Sequence, residues 1–114
     1  MSATTIDGTN INLDAEQEKM IALNLIERGQ ALSNNVEHFI QYLEQLNQPD
    51  LISWLELELM LINQLIDELK HPHLQQPTYK QWLAYVHHIE EQLLMHENLI
   101  AEKVFILIKE MINL

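Results

Sequence analysis

Residues 22–46 read ALNLIERGQALSNNVEHFIQYLEQL, and the spacing of their apolar and small residues decides the fold. Ala22, Leu25, Gly29, Leu32, Val36, Phe39, Leu43 and Leu46 follow one another in alternating steps of three and four. Such a heptad stripe keeps one side of a helix against a neighbour, and it is incompatible with the period of two that marks a half-buried strand. The spacing predicts one helix from Asp14 to Asn47. Asp14 can accept from the free amides of a first turn, Gln17 completes a capping-box pattern, and Glu16 and Glu18 suit the positive end of the dipole. Gly29 opens a second reading, in which the helix closes at Arg28, Gly29 is a left-handed cap, and a new helix starts at Asn34 with Glu37 as its box partner. Continuity is preferred because the stripe passes Gly29 without losing phase, whereas a break resets it.

Outward from this stretch, residues 1–13 mix Ser, Thr, Asp, Gly and Asn with isolated Ile and form no buriable face, so they are expected to be a flexible N-terminal arm. Downstream, Pro49 fits a first helical turn and Asp50 can cap it, which predicts a second helix from Asp50 to about Lys70. His71-Pro72-His73 and Gln75-Gln76-Pro77 end it, because closely spaced prolines forbid a continuous helix. Thr78 with Gln81 supplies another capping box. A third helix then runs from Tyr79 almost to the C-terminus on the stripe Tyr79, Leu83, Val86, Glu90, Leu93, Glu97, Ile100, Val104, Leu107 and Met111. The expected fold is all-α, an antiparallel bundle of three helices over residues 14–114 with the first and third long, or of four should the first break at Gly29.

Helices of these lengths do not fit inside a globule. A compact chain of this size has a radius of gyration near about 13 Å, whereas a helix of about 34 residues is about 50 Å long. The second helix, at about 30 Å, covers only part of either neighbour. Apolar stripe is therefore left over at the first half of helix one and at Leu99 to Ile112, and a homo-oligomer, most simply a two-fold dimer, is expected to cover it.

Composition narrows the function. The 114 residues carry 17 Asp and Glu against 6 Lys and Arg, a formal charge of −11. That excludes binding to nucleic acid or to an anionic membrane by phosphate neutralisation. A DNA mimic is disfavoured because several acids point inward and the remaining surface density is low. The absence of Cys excludes a disulfide framework, thiolate metal sites and a cysteine nucleophile. The most apolar stretches, 51–69 and 99–114, are interrupted by charged residues and are not membrane spans. No apolar run of leader type sits near the start, and a cytoplasmic protein is expected.

Little in the chain suggests catalysis. Ser occurs only at Ser2, Ser33 and Ser53, with no nucleophile elbow, and Gly8 and Gly29 cannot build a phosphate loop. No enzyme activity and no cofactor are expected. His87, His88, Glu90, Glu91 and His96 crowd one helix, but the order His-x-x-Glu reverses the Glu-x-x-His of di-iron bundles, and no metal is expected there or at His71 and His73.

Three carboxylates stand out because they fall on apolar stripes: Glu58 amid Leu51, Leu55, Ile62 and Leu65, and Glu90 and Glu97 at successive equivalent positions of helix three. An inward carboxylate requires compensation. Each could reach water at a seam edge or meet a His or Lys of a neighbouring helix. Alternatively, Glu58, Glu90 and Glu97 could line a groove that receives Arg or Lys of a basic partner. Leu57 and Met60 on helix two and Leu99 and Ile106 on helix three project from the outer faces, as do Met20, Leu23 and Tyr42 on helix one. Such residues, rich in Met, would make an adaptable protein-binding surface. The expectation is a small acidic protein-binding module, of inhibitor, immunity or antitoxin type, that occludes a basic protein. The alternative is a secretion or assembly chaperone, or a structural adaptor, that lends its apolar stripe to a client helix.

Overall fold

The computed structural model describes the backbone of residues 2–113 and the side chains of residues 16–113. It consists of three helices, α1 (Ser2–Gln45), α2 (Pro49–Lys70) and α3 (Tyr79–Ile112), with no strand among the described residues. α1 begins at Ser2 rather than at the expected Asp14, so the backbone expected to form an arm over 1–13 is, from Ser2 onward, part of the helix and Asp14 lies inside α1 rather than at its cap.

α1 is unbroken through Gly29, and the reason for that glycine lies in its neighbour. A methyl group built on Gly29 would stand 2.8 Å from Cγ1 and 3.2 Å from Cδ1 of Ile66 on α2, inside ordinary van der Waals contact. Gly29 is therefore a point where α1 and α2 approach closely, and its backbone is helical rather than left-handed. One turn on, the Ser33 hydroxyl, itself buried, donates to Oδ1 of Asn63 at 3.1 Å. The pairs Gly29–Ile66 and Ser33–Asn63 run in opposite chain order, the register of an antiparallel pair. Tyr85 with Glu68 and His96 with Glu58 relate α3 to α2 in the same sense.

The core is a single file of branched residues between the helices. Leu43, Leu55, Ile62, Val86 and Ile89 are its most enclosed members, with Leu25, Val36, Ile40, Ile66, Leu93, Ile100 and Leu107 extending it lengthwise. On α1 the most deeply buried line is Leu25, Gly29, Ser33, Val36, Ile40 and Leu43, while Leu32, Phe39 and Leu46 are half-buried on its flank.

Two further helix ends differ from expectation. Asp50 does not cap α2: Gln48 occupies that position without a side-chain bond, Pro49 takes the first helical position, and Asp50 adds its charge to the first turn. α1 stops at Gln45 rather than Asn47, because Asn47 turns left-handed at φ 55°, a conformation Asn tolerates better than most residues. The Thr78 box forms in full, with the Gln81 amide donating to the Thr78 hydroxyl at 3.1 Å and the Thr78 amide donating to Oε1 of Gln81 at 3.0 Å.

The outcome is a rod. The molecule measures 72 × 26 × 17 Å and has a radius of gyration of 19.2 Å, well above the value of about 13 Å for a compact body of this length. None of its helices is long and apolar enough to cross a membrane, among the described residues.

Candidate protein-binding surface

Of the three carboxylates expected to point inward only Glu58 is buried, Glu90 and Glu97 being substantially exposed, and each of the three meets a cation or an imidazole of this same chain. Glu58 is buried, and Nδ1 of His96 donates to its Oε1 at 2.8 Å, tying the apolar face of α2 to α3. Only about a tenth of either side chain is exposed, so the pair bonds away from water. Glu97 reaches across to α1, where Arg28 Nη2 lies 3.4 Å from its Oε1. Glu90 stays on its own helix and accepts from Nδ1 of His87 at 3.3 Å, in the open.

These residues do not share one groove. Glu58 sits at the α2–α3 contact, whereas Glu97 faces α1 and Glu90 borders a hollow with Ile21, Asn24, Leu25 and Arg28 of α1. No buried side-chain polar atom lacks a partner among the described residues. Nor does any group of three or more His, Asp or Glu stand close enough to hold a metal ion among them.

The outward apolar residues are placed as their helical phase requires. Leu57 and Met60 on α2 and Leu99 and Ile106 on α3 are all about half exposed, as are Met20, Leu23 and Tyr42 on α1. Leu57 and Met60 lie on α2, and Leu99 and Ile106 share a separate face of α3.

Around Met60 the surface acquires a shape that periodicity does not show. A shallow, open groove of about 780 Å³ lies along the outer side of α2, lined by Glu56, Leu59, Met60, Asn63, Gln64, Asp67 and Glu68 and by His73 of the following loop. Leu59 and Met60 supply its apolar lining, and Glu56, Asp67 and Glu68 contribute carboxylates. Helix geometry explains the grouping, since Glu56, Met60, Asn63 and Asp67 succeed one another in steps of four, three and four on one face. Nearby, the Tyr85 hydroxyl donates to the backbone carbonyl of Glu68 at 2.9 Å and pins this end of α2 to α3. Burial raises the pKa of that phenol above the usual tyrosine value, and the negative charge of Glu68 adds to the effect.

No protein-family model matches the chain, and neither the curated proteins nor the solved structures contain a match.

Proposed function

We propose that this protein is an acidic helical binding module that occludes a basic protein partner. The observation that carries the reading is the α2 groove, where Leu59 and Met60 are edged by Glu56, Asp67 and Glu68 on a chain of net charge −11. A partner helix with an apolar stripe and Lys or Arg on either side is the shape and charge that complement it. The long-range field supports the same partner, because a chain so acidic accelerates encounter with cationic surfaces and repels anionic ones. Of the residues first singled out, Met60 belongs to this groove. Glu58 contributes by locking α2 against α3 through His96 rather than by touching the partner.

The test compares a basic amphipathic peptide, Leu and Lys at helical spacing, with its Leu and Glu counterpart by fluorescence anisotropy. The basic peptide binds, its affinity falls as salt rises, and Met60→Asp or a Glu56→Lys/Asp67→Lys pair abolishes binding. Equal binding of both peptides, indifferent to salt, defeats the reading. A second reading, an adaptor or chaperone for a client helix, is favoured by the exposed Leu99 and Ile106. It requires binding that resists salt yet is lost on Leu99→Asp or Ile106→Asp.

A further inference from the structure

α3 carries two seams, and only one faces the core. The first is Leu93, Ile100, Val104 and Leu107, buried or half-buried against α1 and α2. The second is Leu94, Asn98, Ala101, Phe105, Ile108 and Ile112, again in steps of four and three, and every member is exposed. Its apolar end is extreme for a free surface, with Phe105 60% and Ile112 76% exposed. The two seams lie about 110° apart around the helix, a wider apolar arc than the core-facing neighbours cover.

We propose that this outer seam is where a second copy of the chain docks, its α3 antiparallel to the first about a two-fold axis near residues 106 and 107. Charge chooses this occupant. Over 99–113 the acids Glu102 and Glu110 cancel Lys103 and Lys109, so the whole charge of −11 resides in the rest of the chain. The tail is the part of this acidic molecule where another copy meets no local net charge, and it offers a basic partner no net attraction.

The same charges set the register. With Phe105 opposite Ile108 of the second copy, Ala101 falls opposite Ile112, so a small residue faces a large one. Glu102 lies between the layers of Ala101 and Phe105, and in the second copy Lys109 lies between those of Ile108 and Ile112. Each Glu102 thus meets a Lys109, twice by symmetry. Lys109 already stands at the edge of the seam, its Nζ 5.7 Å from the Phe105 ring centre. Sliding one heptad, so that Phe105 meets Ala101, would set Glu102 against Glu102 and bury Asn98 on Ile108, a like-charge contact and an unpaired amide. A parallel pair would align Glu97 with Glu102. The proposal is independent of the α2 groove, which lies on a different helix.

Sedimentation equilibrium of the full chain, up to about 1 mM because four layers make an interface at the small end of specific contacts, reads the outcome. The wild-type mass climbs from 13.4 kDa toward twice that value with concentration. Ile108→Asp holds it at the monomer, while Met60→Asp on the α2 groove leaves the climb unchanged. Glu102→Lys and Lys109→Glu copies each self-associate at least tenfold more weakly, yet mixed one to one they form a dimer as tight as wild type, because the mixture restores both ion pairs. Circular dichroism shows each variant as helical as wild type, all these positions being exposed. A wild type that stays monomeric, or an Ile108→Asp chain that still dimerises, overturns the proposal, and mixing without rescue overturns the antiparallel register.

Discussion

Glu58 can be buried in the middle of an apolar helix face because one atom, Nδ1 of His96, is there to meet it. The energetic weight of such a pair lies in what happens when half of it is removed. Glu58→Ala or His96→Ala leaves its partner buried and unsatisfied, and each destabilises the fold by about 1–3 kcal/mol. Replacing both with Leu removes both desolvation costs, so the double variant loses clearly less than the two losses added together. Urea unfolding of the four proteins measures this directly. Tyr85 is different in kind, because its hydroxyl serves a backbone carbonyl near the surface and its pKa is raised. A group whose folded pKa exceeds its unfolded value contributes fully below the unfolded pKa, about 10 for tyrosine, and loses that contribution as pH rises through the folded one. Tyr85→Phe therefore costs about 0.5–1 kcal/mol at neutral pH, and the gap between the two proteins closes in alkali.

At the scale of the helix, Gly29 joins two opposed effects that a double variant separates. Gly29→Ala improves helix propensity by about 1 kcal/mol, but it drives a methyl group onto Ile66 and so incurs an overpacking cost of about 1–3 kcal/mol. In the wild-type background the substitution is destabilising; on an Ile66→Ala background, where Cγ1 is gone, it stabilises. Thermal unfolding of the four proteins shows the change of sign, and a penalty that persisted without the Ile66 side chain would mean that the glycine serves something else. Periodicity revealed that α1 continues through Gly29, because phase is a property of one strand of sequence. It could not reveal Ile66, because a meeting between helices depends on their relative register. The same limit separates Glu58, whose inward position follows from its angle on α2, from His96, which lies on another helix. Thr78 and Gln81 were readable as a pair since both bonds of the box are local. Ser33 was not, as a hydroxyl beside an apolar stripe carries no sign that Asn63 will accept from it. The α2 groove combines Leu59 and Met60 with carboxylates that periodicity assigns merely to the solvent side, and its concavity emerges only in three dimensions.

For the whole molecule, shape and charge together make salt the most informative variable. A compact fold would average a charge of −11 over a sphere, whereas a rod 72 Å long keeps a neutral tail on α3 apart from acidic flanks. Two kinds of association then respond oppositely to salt. When two copies join tail to tail, their acidic bodies, with charge centres about 50 Å apart, repel by about 2 kcal/mol in 10 mM salt and negligibly at 150 mM. The exposed Glu102–Lys109 pairs lose a few tenths of a kcal/mol each over that range, which offsets only part of the gain. Self-association is thus expected to tighten several-fold between 10 and 150 mM salt, while a basic peptide in the α2 groove binds more weakly over the same interval. Sedimentation and anisotropy on one preparation yield both slopes. Opposite signs place the two contacts on the neutral and the acidic parts of the rod respectively; slopes of the same sign would show that one surface, or one force, serves both.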